Sequence, residues 1–234
     1  MQAIVVIPTY NERENLPRLV EQIQEHAYDL HILVVDDNSP DGTGKIAEEL
    51  SKKYPGKLSV IHREKKGGLG RAYVEGFRYV LSQGYEVVLQ MDADLSHNPS
   101  YLPGFLAQIR ACDLVSGSRY LCGISVVNWD LKRLILSKLA TAYVQLITGM
   151  PFTDTTTGFK CWRRETLASI GLDNIFSNGY LFQIETTYRA YRSGLKVVEI
   201  PIVFVERQQG KSKMHWKIIS EAFFGVMRLR LRKR

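Results

Sequence analysis

Residues 86–99 read EVVLQMDADLSHNP, a strand-like apolar run that ends in two carboxylates, Asp92 and Asp94. Side chains two positions apart on an extended chain point to the same face, so the carboxylates converge if the strand continues past Met91. Convergent carboxylates repel each other, and a hard divalent cation with oxygen ligands removes that repulsion. A pair of solvated loop acids is the alternative interpretation. The apolar run before the pair and the Asn-Pro turn after it favour a metal site.

The rest of the chain alternates strand patterns with helix patterns. Strand-like runs cover residues 3–7, 31–35, 58–61, 87–91, 114–116, 159–162 and 196–205. Apolar residues recur at helical spacing in three segments. These are Leu16, Leu19, Val20 and Ile23; Tyr73, Phe77, Val80 and Leu81; and Leu102, Phe105, Leu106 and Ile109. The alternation predicts a single α/β domain with a mainly parallel sheet flanked by helices.

Length and composition limit the class of protein. The chain has 234 residues, 45% of them hydrophobic, which is enough for one large α/β domain with a sizeable core. The sequence around Met1 does not resemble a signal peptide, and no apolar run reaches the ~18 residues of a membrane-spanning helix. The three cysteines form no CxxC pair, which suits a reducing cytosol and argues against a zinc cluster. We therefore expect a cytoplasmic protein.

Positive charge is concentrated towards the end of the chain. Residues 189–234 contain twelve Lys or Arg and three acids, a net charge of +9, which leaves the first 188 residues at −2. A basic end of this kind indicates an anionic partner such as phosphate, nucleic acid or lipid headgroups. For residues 215–234 we predict a basic amphipathic helix, separate from a catalytic domain over residues 1–214. Its predicted face comprises Ile219, Phe223, Val226 and Arg230. The helix either lies on anionic lipid or packs on the core.

Polar loops follow the first, second and fourth strands, and the carboxyl ends of parallel strands meet at one edge of a sheet. These loops carry five acids: Glu12, Asp36, Asp37, Asp92 and Asp94. Carboxylates accept hydrogen bonds from ribose hydroxyls and base amino groups, and Tyr10 can stack on a planar ring. For residues 36–42 a plain turn is the alternative. The glycine-rich residues 67–70 are a weak phosphate signal, because neither GxGxxG nor a P-loop lysine is present.

Six motifs in order resemble those of the family 2 glycosyltransferases, and within that family the polyprenol-phosphate (dolichol-phosphate) mannose synthases. They are PTYNERENL, VVDDNSPDGT, KKGGLGRAYVEG, MDADLSHNP, SGSRY and DTTTGFKCW. The resemblance extends from about residue 3 to residue 214. Two features depart from the family: Ser100 stands where relatives commonly have an acid, and no membrane helices follow the catalytic segment.

The resemblance implies a GT-A fold and a set of donor contacts. The nucleoside and phosphates of GDP-mannose would be held by six residues: Pro8, Tyr10, Glu12, Asp37, Arg207 and Lys213. Asp92 and Asp94 would hold Mg²⁺ or Mn²⁺ bridging the diphosphate, with Ser96 as a further metal contact. The phosphate of the acceptor lipid would be held by three residues: Arg119, Arg133 and Ser137.

The implied reaction is inverting transfer of mannose from GDP-mannose to a polyprenyl phosphate, with Asp92, Asp94 and Arg119 as the catalytic residues. A phosphate monoester has a second pKa near ~6 and is largely dianionic at neutral pH, so this acceptor needs no general base. His97 is expected to pack or cap beside the Asn-Pro turn. Asp154 either binds sugar hydroxyls or caps the short segment after it.

Several alternatives remain open at this point. The same pattern fits transfer of glucose from UDP-glucose to a lipid phosphate. An aspartyl phosphatase fits poorly, because its Asp-x-Asp pair belongs on the first strand. A nucleic-acid-binding module fits the basic end but not the acidic loops, so we expect no nucleic-acid partner. We expect peripheral association with the cytoplasmic face of a membrane, and a separate membrane-anchoring subunit is left open.

Overall fold

A central β-sheet organises the residues that the computed structural model describes, namely 1–26, 29–206 and 216–231. The strands are β1 (Ala3–Thr9), β2 (Leu30–Asp36), β3 (Leu58–His62), β4 (Val87–Gln90), β5 (Leu114–Ser118), β6 (Val126–Val127), β7 (Lys160–Arg163), β8 (Val197–Pro201) and β9 (Phe204–Val205). The helices are α1 (Asn15–Glu25), α2 (Thr43–Lys53), α3 (Leu69–Gln83), α4 (Leu102–Gln108), α5 (Leu131–Thr148), α6 (Arg164–Ser169), α7 (Gly179–Arg192) and α8 (Trp216–Leu231).

The main sheet has seven strands in the order β3-β2-β1-β4-β7-β5-β8. Only β7 runs against its neighbours β4 and β5, so the predicted mainly parallel sheet is confirmed. The chain moves outward from β1 to β2 and β3, then returns to place β4 on the other side of β1. Ligands of open α/β sheets bind at the carboxyl ends of strands where the strand order reverses in this way. The topology therefore directs attention to the ends of β1 and β4.

Helices cover both faces of this sheet, which explains why β1 and β2 are apolar along nearly their whole length. The predicted helical periodicities are confirmed, because α1, α3 and α4 bury the expected apolar residues against the sheet. A third apolar cluster lies between α5, α7 and α8 and contacts the main sheet through Val197 of β8.

The predicted strand at residues 87–91 is present as β4, which ends at Gln90, so the condition that the strand continue past Met91 is not met. One strand prediction was wrong. Residues 196–205 do not form one strand, because β8 stops at Pro201, and the Ile202 N–H makes the last bond to β5 by donating to the Ser118 oxygen at 2.9 Å. The chain then leaves the main sheet, and β9 pairs with the two-residue strand β6, which sequence patterns did not reveal.

Helix α8 packs against α5 and α7 through Val226 and Leu229, which are buried. The close approach requires Gly225, since a Cβ there would stand 2.1 Å from a methyl group of Leu181. The predicted single face is therefore wrong in part: Phe223 and Arg230 are exposed, and the side chain of Ile219 lies outside the described residues. Among the described residues, no helix is both long and apolar enough to cross a membrane. The boundary predicted at residues 214 and 215 remains a prediction.

Candidate functional site

Two cavities meet at the carboxyl ends of β1 and β4. The first, which we call the acidic cavity, measures about 280 Å³ and is lined by Pro8, Thr9, Tyr10, Glu12, Asp37, Lys66, Gly68, Leu69, Ala72, Asp92, Ala93, Asp94, Gly179 and Tyr180. The second, which we call the apolar cavity, measures about 370 Å³ and extends between α5, α7 and α8. Asp92, Asp94 and Tyr180 line both cavities. The two carboxylates singled out by the sequence thus stand where the cavities join.

The Asp92 carboxylate is supported from the core side. The Tyr73 hydroxyl donates to Asp92 Oδ1 at 3.3 Å. Burial, with the Asp92 charge as a second cause, raises the pKa of Tyr73 well above its usual value, so the phenol remains a donor. The backbone N–H of Asp92 donates to His97 Nδ1 at 3.1 Å, and the His97 ring stacks on Phe159 at 4.8 Å. Burial lowers the pKa of His97, which fits the predicted packing role.

The Asp94 carboxylate is held by the turn that follows it. Oδ1 of Asp94 accepts from the Ser96 hydroxyl at 2.6 Å and from the Ser96 N–H at 3.2 Å. Leu95 adopts a left-handed backbone conformation with φ 61°, which turns the chain tightly enough for these bonds. Ser96 therefore orients Asp94, and its predicted metal contact remains a prediction.

The donor set at this junction fits a hard divalent cation. Asp92 and Asp94 offer carboxylate oxygens to the same space, as Mg²⁺ or Mn²⁺ requires. Within residues 1–26, 29–206 and 216–231, no group of three or more His, Cys, Asp or Glu side chains is arranged to hold a metal. A cation held by two carboxylates depends on substrate oxygens and water for its other ligands, which is the usual binding mode of Mg²⁺ at phosphate substrates.

Asp37 shapes the wall of the acidic cavity. Its carboxylate accepts from the N–H groups of Gly67 at 2.9 Å and Gly68 at 2.8 Å, and it pairs with Arg63. From the other side, Asn178 Oδ1 accepts from Gly70 N–H at 2.7 Å. The glycine-rich segment at the start of α3 is thus held between Asp37, which directly follows β2, and Asn178, which directly precedes α7. Gly68 has φ 94°, a conformation that favours glycine.

The outer part of the acidic cavity contains Tyr10 and Glu12. The Lys66 ammonium lies 3.7 Å from the centroid of the Tyr10 ring, so a cation covers one face of the predicted stacking platform. Glu12 Oε2 accepts from Asn15 Nδ2 at 2.8 Å, and the Glu12 N–H donates to the Thr43 hydroxyl. Pro8 completes the same wall. All four predicted nucleoside contacts in the described residues, including Asp37, therefore line one cavity.

Arg119 and Asp154 form a buried bidentate ion pair at the polar end of the apolar cavity. Arg119 Nε donates to Asp154 Oδ2 at 2.6 Å, and Arg119 Nη2 donates to Oδ1 at 2.7 Å. Burial alone would raise the pKa of Asp154, but the Arg119 guanidinium more than offsets that and holds it below its usual value. Asp154 thus orients Arg119 and also accepts from the Thr156 N–H, which fits the predicted capping role. Its predicted contact with sugar hydroxyls remains a prediction.

Arg133 and Ser137 lie one helical turn apart on α5 and line the same cavity as Arg119. The Arg133 guanidinium lies 4.2 Å from the centroid of the Trp129 ring and pairs with Glu206. The Ser137 hydroxyl accepts from the Tyr120 hydroxyl at 2.7 Å. The structure therefore brings together the three side chains predicted to hold the acceptor phosphate, although they span 19 positions of sequence.

Two predicted site residues, Arg207 and Lys213, lie outside the described residues. Three residues that line the cavities were not predicted from the sequence: Lys66, Trp129 and Tyr180. The basic residue directly before the glycine-rich loop was the available signal for Lys66, whereas no local pattern marks Tyr180.

Fold and site together define a glycosyltransferase of the GT-A type. Comparisons with known proteins support that class. A solved structure of glucosyl-3-phosphoglycerate synthase from Mycobacterium tuberculosis with UDP superposes with a TM-score of 0.71, at 17% identity over 100% of this chain and 81% of that chain. A second structure of that enzyme, with Mn²⁺, UDP-glucose and phosphoglyceric acid, also gives a TM-score of 0.71, at 16% identity. At such identities the likeness establishes the fold alone.

The chain belongs to glycosyl transferase family 2, whose model matches residues 4–171. The polyprenol monophosphomannose synthase of Mycolicibacterium smegmatis is 47% identical over 100% of this chain and 88% of its own length. The undecaprenyl-phosphate mannosyltransferase of Micrococcus luteus is 44% identical over 97% of this chain and 93% of its own length. The family predicted from the six motifs is confirmed, and the chain is a glycosyltransferase enzyme.

Proposed function

We propose that this enzyme transfers mannose from GDP-mannose to a polyprenyl phosphate, with inversion at the anomeric carbon. The observation that carries the proposal is the meeting of an acidic and an apolar cavity at Asp92 and Asp94. A nucleotide fits the first cavity and an isoprenoid chain fits the second, so donor and acceptor phosphates converge on the two carboxylates. The names of the two bacterial relatives support the mannosyl donor group and the lipid-phosphate acceptor.

The arrangement of charges fits an acceptor that is already a nucleophile. A dianionic phosphate needs no general base, and the only histidine that lines the apolar cavity within the described residues, His97, is buried and bonded to the Asp92 amide. The acceptor instead needs cations that orient it, and Arg119 and Arg133 both line the apolar cavity and provide them. Mg²⁺ or Mn²⁺ bound by Asp92 and Asp94 would supply positive charge to the leaving diphosphate.

Peripheral association with a membrane is part of the proposal. Exposed apolar side chains lie along α5 and α8: Leu131, Ile135, Leu139, Leu146, Phe224, Met227 and Leu231. Exposed Lys132 and Lys138 on α5 and Arg228 and Arg230 on α8 lie among them. Apolar side chains interspersed with basic ones fit an anionic lipid surface. The basic tail is therefore not the sole contact that we propose, because α5 also presents exposed apolar side chains.

A transfer assay tests the reaction. Purified enzyme, Mn²⁺ and a polyprenyl phosphate are incubated with labelled GDP-mannose or UDP-glucose, and the lipid-linked product is extracted and its anomeric configuration read by NMR. We expect product from GDP-mannose with inverted configuration, and tighter binding of GDP than of UDP in calorimetry. Transfer from UDP-glucose alone would replace the proposal with the glucosyl alternative.

A vesicle assay tests the membrane surface. We expect the enzyme to sediment with anionic vesicles at low salt and to be released at high salt. Deleting residues 228–234, or replacing Ile135 and Leu146 with Ser, should each weaken binding and leave GDP affinity unchanged. Undiminished sedimentation of the Ile135→Ser, Leu146→Ser variant would exclude α5 from the membrane contact.

A further inference from the structure

Lys160 is a fully buried lysine on β7, in the interior of the sheet. Within the described residues, both of its hydrogen bonds go to Gln183 of α7: Nζ donates to the backbone oxygen at 2.7 Å and to Oε1 at 3.2 Å. Burying an ammonium group without a carboxylate in hydrogen-bonding contact is unfavourable. Burial lowers the pKa of Lys160 to about 7. A sheet residue that destabilises the fold in this way calls for a functional explanation.

The position of Gln183 connects Lys160 to Asp92. A Cβ built on Gly158 would stand 3.2 Å from Gln183 Nε2 and 3.3 Å from Asp92 Oδ2, so the amide and the carboxylate flank the same glycine. Gln90, two residues before Asp92, donates from Nε2 to Gln183 Oε1 at 2.6 Å. Gln183 therefore links the buried ammonium to the surroundings of Asp92, one of the two carboxylates that line both cavities. The charges of Asp154 and Asp92 offset part of the effect of burial on the pKa of Lys160, so both carboxylates act on the ammonium group.

We propose that Lys160 is a positioning residue that compensates the charge of Asp92 in the Asp92–Asp94 pair, weakening the binding of a bare divalent cation and strengthening the binding of an anionic diphosphate. This inference rests on the proposed function, since it assumes that metal and diphosphate meet at this pair. Charges that interact through a dry interior are screened less than surface charges, so one buried cation acts on both ligands. The two ligands carry opposite charges and must respond in opposite directions.

The two affinities are expected to change in opposite directions, which distinguishes a charge-compensating role of Lys160 from a purely structural role. Lys160→Met removes the charge and shortens the unbranched side chain by only one atom. Gln183 retains partners in the variant, because Oε1 still accepts from Gln90 and the backbone oxygen still accepts from the Thr187 hydroxyl at 3.0 Å. Replacing a buried charge with an apolar side chain of similar volume is often neutral or stabilising. We therefore expect the melting temperature of the variant to equal or exceed that of the wild type.

Calorimetry with two separate probes tests the proposal at slightly acidic pH, where Lys160 carries its charge. With Mn²⁺ alone, Lys160→Met should bind several-fold to about tenfold more tightly than the wild type. With metal-free GDP, the same variant should bind several-fold more weakly. Lys57→Met is the matched control: it removes one charge from a partly exposed lysine that pairs with the exposed Asp29, and both affinities should stay unchanged.

If Lys160→Met binds both Mn²⁺ and GDP more weakly, or if neither affinity changes, the proposal is overturned and Lys160 is a purely structural residue. Should Lys160→Met fail to fold, Lys160→Gln is measured in the same way. Should that variant fail too, Mg²⁺ is added to the wild-type enzyme without nucleotide, and the Lys160 side-chain NMR resonance must move; an unmoved resonance rejects the proposal. A wild-type enzyme that binds neither Mn²⁺ nor GDP would contradict the proposed function instead, so the two failures are distinguishable.

Discussion

The acidic and apolar cavities meet at the same two carboxylates but are built in different ways. The acidic cavity consists of the loops that directly follow β1 and β4, and of Asp37, which follows β2 and fixes the glycine-rich loop by backbone hydrogen bonds. The apolar cavity lies between α5, α7 and α8, and its polar end depends on one ion pair between residues 119 and 154. Most of the acidic cavity is therefore assembled from loops at neighbouring strand ends, with Gly179 and Tyr180 added from α7, whereas the apolar cavity depends on the packing of helices that are far apart in sequence.

Neutralising either carboxylate that lines both cavities should impair the reaction most strongly. We expect Asp92→Asn or Asp94→Asn to lower transfer by several orders of magnitude while the fold is retained, because both carboxylates are at least partly exposed in the cavities. Transfer rates and circular dichroism measure the two effects. Chelation with EDTA should act in the same way and be reversed by Mn²⁺ or Mg²⁺. Full activity in chelator would contradict the metal site.

Removing the negative charge that pairs with Arg119 at the polar end of the apolar cavity should lower the stability of the fold. Asp154→Asn leaves a buried guanidinium without its counter-charge, and we expect the free energy of unfolding to fall by about 3–5 kcal/mol. Urea denaturation measures it. The matched control is Asp173→Asn, which breaks the exposed pair with Arg78 and should cost at most ~1 kcal/mol. Equal effects of the two substitutions would show that burial of the Arg119 pair contributes nothing.

Changing the shape of the Arg119 side chain should impair use of the acceptor while leaving nucleotide binding intact. Arg119→Lys keeps the charge but loses the planar fork, so we expect transfer to fall roughly ten- to hundredfold, since the bidentate pair and the presented N–H groups are both altered. GDP affinity, measured by calorimetry, should remain unchanged. The exposed Arg110→Lys serves as the control. A collapse of GDP binding would assign Arg119 to the donor side.

The smallest effect is expected in the acidic cavity, where Lys66 covers Tyr10. Lys66→Ala should weaken GDP binding about two- to fivefold, the equivalent of roughly 0.5–1 kcal/mol for an exposed cation–π contact. Substitution of the neighbouring exposed Lys65 provides the control. If transfer falls much more than nucleotide affinity, Lys66 acts on the sugar or phosphate rather than on the stacking platform.

Local patterns in the sequence predicted the acidic cavity well. Period-two and helical spacing located the strands and helices of the βαβ units, and the polar loops at their ends placed Tyr10, Glu12 and Asp37 with Asp92 at one edge of the sheet. The same patterns failed for residues 196–205, where a strand changes sheet at Pro201, and for the face of α8, which depends on contact with Leu181. In both cases the deciding contact comes from a distant part of the chain.

The sequence by itself determined the family, the parallel sheet and the acidic edge, because strand alternation and loop position follow from chain geometry within a few residues. Only the tertiary structure decided that Asp154 pairs with Arg119, that Tyr180 lines both cavities, and that the buried Lys160 bonds to Gln183. The physical reason is that the pairing of a buried charge depends on which groups the folded chain brings within a few ångströms, and no local sequence pattern encodes that distance.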